Sequence, residues 1–355
     1  MKTFSCDACG AVAFFENHQC LSCGSTLAFI PELLEVGAIS WDGAVWRSAR
    51  SGAHHAGYQL CSNAGATGVC NEVIPADSAE ALCRWCQFTD TIPDLSVPGN
   101  QERWRKLNGA QRRLLYGLTQ LQLNPVSKRV DPNRGLIFSF LAATAQNNVL
   151  TGHEDGAITL NIAEADDAER ERRREQMGEE YRTLLGHFRH EVGHYYWDRL
   201  IADTGRHEEF RAVFGDERAD YEMALKTHYA QGAPPDWESR FVSEYASTHA
   251  WEDWAETWAH YLHMTAVLET ASSCGLSLRP RHQQQPGVER RDVPSEQGTG
   301  DFESLIQAWK AVTIALNSLN RSIGQNDAYP FALANPVIQK LEFIHNTIRS
   351  GGQAR

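Results

Sequence analysis

Absences narrow the class of this chain first. No apolar run approaches the roughly 18–20 residues a membrane helix needs, and the amino terminus, MKTFSCDACG, has no apolar h-region. Neither a membrane partner nor a secretory leader is therefore expected. Positive charge is short as well: 33 Lys and Arg against 45 Asp and Glu leave a formal net charge of −12. That balance opposes non-specific affinity for nucleic-acid phosphates. Cysteine almost vanishes after Cys86, with Cys274 alone beyond it.

What is present is an ordinary globular balance, 42% hydrophobic and 22% charged over 355 residues. That length supports one substantial core plus one or two small modules. The cysteines supply the modules. CDAC (Cys6, Cys9) and CLSC (Cys20, Cys23) flank a strand-like stretch, and two such turns present four thiolates to one tetrahedral Zn²⁺. A redox CxxC is the alternative, and the missing βαβ surround disfavours it. Cys61, Cys70, Cys83 and Cys86 form a second, looser set with no cysteine left over. Metal holds such small modules folded where apolar residues are too few for a core. With no leader in view, thiolate sites imply a reducing, cytoplasmic compartment.

The expected class is α+β, with boundaries read from composition. Residues 1–30 form a zinc ribbon. Residues 31–98 form a β-rich module with the second four-cysteine zinc site and a hairpin around Asp42-Gly43. Residues 99–355 form a mainly helical domain with a small sheet. One amphipathic helix is expected over 100–122, buried through Trp104, Leu107, Leu114, Leu115, Leu118 and Leu121. LIFSFLAA and the pair around Gly152–Gly156 read as strands. The charged run at 164–182 reads as a solvated helix. Two helices close the chain, one through Phe302, Leu305, Trp309, Val312, Leu316 and Leu319, the last starting at Asn335-Pro336. The stretch 279–300 lacks apolar periodicity and reads as a mobile loop.

The chemistry concentrates in HEVGH at 190–194. In a helix, positions i and i+4 share a face, so His190 and His194 point at one ion. Glu191 lies next to His190, near enough to act on a water held by that ion, and serves as general base. Gly193 lets another backbone or side chain approach closely. A catalytic zinc needs a third protein ligand, and EDWAE offers Glu252 and Glu256, again four apart. With Glu252 as ligand, Glu256 is left to accept a hydrogen bond from the His190 ring; spacing alone also permits the reverse. His249, His260 and His263 are rivals for ligation, and His187 reads as structural or as a support to a ligand. Tyr245, seven residues before Glu252, is placed to donate to a developing oxyanion. Ala157–Ile162 is a candidate edge strand for an extended peptide, with an internal strand as the alternative.

These residues resemble those of the gluzincin metallopeptidases, where an HExxH helix is followed by one bearing ExxxD or ExxxE. The stretch from Tyr245 to EDWAETWAHYLH is similar to the lethal-factor-type members, a resemblance that favours Glu252 as ligand and Tyr245 as oxyanion donor. The cysteine-rich start, CRWCQFTDTIPDL, GHFRHEVGHYYW, SEYASTHAWEDWAETWAHYLH and NSLNRSIGQNDAYPF together resemble the bacterial "putative zinc-binding metallopeptidases" with an amino-terminal zinc ribbon. The resemblance implies a gluzincin-type domain and its metal, and supplies no substrate. With the residues above, the leading expectation is one catalytic and two structural zinc ions and hydrolysis of peptide bonds in a protein or peptide substrate. A different class of function competes with it: a module whose zinc ribbons dock a protein or nucleic acid, beside an inactive or non-peptidase metal site. An intact Glu191 argues against that reading, because a purely structural site has no use for a general base. A third possibility keeps the enzyme and changes the bond, for instance to a non-peptide amide.

Overall fold

A computed structural model describes residues 2–50, 52–53, 56–65, 67–143, 149–177, 181–279, 291–293 and 300–351. The chain forms two compact units, one of residues 1–116 and 125–171, the other of residues 117–124 and 172–355.

The first unit begins with two matching knuckles. Gly10 N–H donates to the Cys6 carbonyl and Gly24 N–H to that of Cys20, and both glycines take φ of +75°. This is a left-handed turn that a side chain resists. Strands β1 (Phe4–Ser5) and β2 (Val12–Ala13) pair antiparallel beside them. An antiparallel sheet follows, β3 (Leu27–Ile30), β4 (Glu35–Trp41), β5 (Trp46–Ser48), β6 (Tyr58–Leu60) and β7 (Val73–Pro75), with the short α1 (Ser62–Gly65) between the last two. The hairpin joining β4 and β5 turns at Asp42-Gly43, where Asp42 Oδ1 accepts from the backbone N–H of Ala44 and Val45. Ala28, Ile30, Ile39, Tyr58 and Val73 form the core of this sheet. The ladder between β3 and β4 runs across the boundary that composition suggests at residue 30.

Strand β8 (Thr89–Thr91) leads into α2 (Asn100–Gln120), and β9 (Ile137–Leu141), β10 (Gly152–Glu154) and β11 (Ala157–Asn161) complete a second sheet. Trp104, Leu107, Leu114, Leu115 and Leu118 are buried along α2. The helix stops at Gln120 rather than running to 122, because Gln122 takes φ of +59° while Leu123 N–H closes back on the Leu118 carbonyl. Leu121 therefore lies outside the helix. The sheet order is β10-β11-β9-β8. Strand β11 is thus internal, parallel to β9 on one side and hairpinned to β10 on the other through Asp155-Gly156. This corrects the edge-strand expectation for Ala157–Ile162: the hydrogen-bonding groups an added peptide needs are already paired. The charged run does form a helix, α3 (Asp167–Met177).

The second unit is helical: α4 (Leu184–Trp197), α5 (His207–Phe214), α6 (Tyr221–Gln231), α7 (Ala250–Ser273), α8 (Phe302–Ser322) and α9 (Asn335–Gly351). Thr183 caps α4 by accepting from Gly186 N–H, and Asp301 caps α8 by accepting from Ser304 N–H. Trp254 and Trp258 on α7 are fully buried, with Phe210 and Phe214 of α5 and Phe343 of α9 around Trp254. Most of the expected loop at 279–300 lies outside the described residues; within it, β13 (Arg291–Asp292) pairs with β12 (Ser277–Leu278). No described helix is long and apolar enough to cross a membrane.

The close approach at Gly193 is specific. A Cβ there would meet Ala255 Cα of α7 at 3.0 Å and Trp258 Cβ at 3.3 Å, and backbone cannot swing aside as a flexible side chain would. Trp254 Nε1 also donates to the Gly193 carbonyl at 2.9 Å. Gly193→Val is expected to lower stability by about 1–3 kcal/mol, read as a lower Tm. An unchanged Tm would show that the two helices do not meet there.

Candidate functional site

Three groups of ligand-type side chains converge among the described residues: Cys6, Cys9, Cys20 and Cys23; Cys61, Cys70, Cys83 and Cys86; and His190, His194 and Glu252. None of the cysteines is paired in a disulfide. Sulfur–sulfur separations are 3.7 Å for Cys6–Cys23, 3.6 Å for Cys9–Cys20 and 3.8 Å for Cys70–Cys83. Disulfides need about 2.05 Å, whereas four sulfurs at about 2.3 Å from one tetrahedral ion lie about 3.8 Å apart. Both sets therefore fit zinc. The second is fully buried, and backbone N–H groups of Glu72, Cys83 and Cys86 point at its sulfurs at 3.3–3.4 Å. Arg112, also buried, lies 3.7 Å from Glu72 beside this set. Burial works against its charge, but Cys70, Glu72, Cys83 and Cys86 together hold the guanidinium above its usual range.

The third group belongs to α4 and α7. His190 and His194 stand on one face of α4 with ring centroids 5.0 Å apart. Glu252, in the first turn of α7, is 1% exposed. Its Oε2 lies 3.0 Å from His190 Nε2 and 3.6 Å from His194 Nε2. That buried oxygen faces both ring nitrogens, and a buried carboxylate is costly unless a cation completes it. Ligands about 2.0–2.2 Å from a tetrahedral ion stand roughly 3.3–3.6 Å apart, so the donor set fits a zinc ion.

Spacing leaves the two glutamates interchangeable, and the geometry separates them. Glu256 Oε1 sits 2.7 Å from His190 Nδ1, and its Oε2 accepts from Ser243 Oγ at 2.6 Å. With Nδ1 turned to Glu256, His190 presents Nε2 to the centre. Burial lowers the His190 imidazole, but Glu252 and Glu256 outweigh it and hold the ring well above its usual range. Burial likewise raises Glu252, while His194 and His190 pull it well below the carboxylate range. Glu191 is buried beside the group, and that burial pushes its carboxyl upward.

Tyr245 lies across the His190 ring, centroids 6.0 Å apart. Burial and the Glu252 charge raise its hydroxyl above the ordinary phenol range, so it remains a donor. The rival histidines are engaged elsewhere. His249 caps α7 by accepting from Trp251 N–H through Nδ1, with Nε2 on the Ala219 carbonyl. His260 meets the Tyr329 hydroxyl at 2.7 Å, and His263 pairs with Arg189. His187 is likewise outside the ligand group. Next to Glu252, the Asp253 carboxylate meets Lys340 Nζ at 2.7 Å in a buried pair that ties α7 to α9.

Sequence reasoning missed three residues. Tyr221 hydrogen-bonds Glu252 from 31 positions upstream, and no local pattern signals it. Trp251 packs on the His194 ring with centroids 3.8 Å apart; its place beside Glu252 is the only clue. Ser243 supports Glu256 and resembles any loop serine.

Comparisons with known proteins converge on the same region. Residues 100–347 match the family described as "Putative zinc-binding metallo-peptidase", and one zinc-ribbon domain match, residues 3–97, spans both cysteine sets. An uncharacterized protein of Mycobacterium bovis and one of Mycobacterium tuberculosis are each 42% identical to the chain over 349 residues. The alignments cover 98% of this chain and 95% of theirs. No solved structure matches.

Proposed function

The chain belongs to the zinc-binding metallo-peptidase family, and from that premise we propose that it hydrolyses peptide bonds in a protein or peptide, with Glu191 as general base. The observation that carries this reading is a buried carboxylate base beside three ligand groups whose donor atoms lie within 4.8 Å of one another. His190, His194 and Glu252 would hold the ion. Zinc in such a site acts as a Lewis acid and lowers the pKa of bound water to near 7. Glu191 takes the proton from the attacking water and returns it to the leaving amine. Tyr245 donates to the oxygen on which negative charge develops. Glu256, held by Ser243, fixes the His190 ring through Nδ1.

In this reading the protein holds three zinc ions, one catalytic and two structural. Cysteines arranged as zinc ligands and not as disulfides support a reducing, cytoplasmic setting. The internal position of β11 removes one reason for favouring an extended peptide, so the choice of bond rests on the site and the family. The test is a library of peptides and denatured proteins incubated with the zinc-loaded protein and read by mass spectrometry. New termini are expected, lost with 1,10-phenanthroline and restored by Zn²⁺. Intact peptides, or cleavage indifferent to the chelator, would refute the proposal.

A further inference from the structure

Tyr221 opens α6, an eleven-residue helix none of whose residues is buried. Helices in proteins draw most of their stability from an apolar face packed on a core, and the inner face of α6, Tyr221, Ala224, Leu225 and His228, is only half-buried. Its side chains reach the metal group. The Tyr221 hydroxyl donates to Glu252 Oε1 at 2.6 Å. The Tyr221 ring lies edge-on to His249 and Trp251, centroids 5.3 and 5.9 Å away. His228, two turns on, meets the Tyr245 ring at 6.1 Å. Just before the helix, the Ala219 carbonyl contacts His249 Nε2 at 3.1 Å.

We propose that Tyr221 is the positioning residue of the glutamate ligand. By occupying Oε1 it leaves Glu252 a single oxygen, Oε2, to offer the ion, and the same bond seats α6 on the metal group. A carboxylate free at both oxygens is able to bind in bidentate fashion and fill the position a catalytic zinc keeps for water or substrate. The inference rests on the proposed ligand set, and its readouts do not depend on which bond is cleaved.

Tyr221→Phe keeps the ring contacts and removes only the donor. Zinc affinity at the histidine site, measured by chelator competition, is expected to weaken about 10–100-fold with Tm unchanged. For coordination, dipicolinate first removes one zinc equivalent per chain, checked by elemental analysis, and one equivalent of Co²⁺ replaces it. The visible cobalt bands of the variant are expected to weaken relative to wild type, as four-coordinate cobalt gives way to five-coordinate. His228→Ala, which loosens α6 without touching Glu252, is expected to speed proteolysis within 221–231 and leave the cobalt bands unchanged. Unchanged affinity and spectrum in Tyr221→Phe would overturn the proposal. A Tm loss matching the affinity loss, or equal spectral change in His228→Ala, would overturn it too, since either marks a general structural role. If the wild type cleaves no peptide, the peptidase reading fails while affinity and spectrum still decide this one.

Discussion

Glu191→Gln is expected to lower kcat/KM on a cleaved peptide by about 10²–10⁴-fold, the usual contribution of a positioned general base, equivalent to roughly 3–5 kcal/mol of barrier. Zinc content and Tm should hold. The amide matches the carboxylate in shape, so packing around this buried position survives. The change also removes a group whose ionised form burial disfavours, so stability has no reason to fall. The site keeps His190, His194 and Glu252, and with them the ion. Loss of activity at constant zinc separates a base from a ligand or a packing residue. Cleavage within ten-fold of wild type would exclude Glu191 as the base, and loss of zinc in parallel would move it into the ligand set.

Cys83→Ser is expected to have the largest structural effect. Cys61, Cys70, Cys83 and Cys86 are each 1% exposed or less, and structural zinc in small modules contributes about 10–16 kcal/mol of binding free energy. A domain's whole stability is about 5–15 kcal/mol. Losing one buried thiolate therefore removes a large part of what keeps the first unit folded. It also removes one of the four anionic groups that offset the burial of Arg112. Elemental analysis is expected to give about three zinc ions per wild-type chain and about two in the variant, with proteolysis of residues 10–98 greatly accelerated. Cys9→Ser, at an exposed corner of the first set, should cost less because water can replace the lost partner. One zinc or none in the wild type would sink the assignment of both cysteine sets.

Much of the candidate site was legible because its parts are local. His190 and His194 share a face by helical arithmetic, Glu252 and Glu256 likewise, and each knuckle needs only two cysteines and a glycine. The Asp42-Gly43 turn is equally local. Helices α5 and α6 passed unread because both are short, and the inner face of α6, Tyr221, Ala224, Leu225 and His228, is only half-buried and half polar.

By itself the sequence determined which residue types stand at which spacings: two sets of four thiols, an HExxH turn, and a second helix bearing two carboxylates. Tertiary structure decided which carboxylate faces both imidazoles, that Tyr221 and Ser243 support the pair, that β11 is enclosed by β9 and β10, and that β3 joins the sheet beyond residue 30. The reason is physical. Helical faces and tight turns arise from backbone geometry within a few residues, whereas a strand's neighbours and a carboxylate's partners are set by long-range packing, where no fixed spacing along the chain applies.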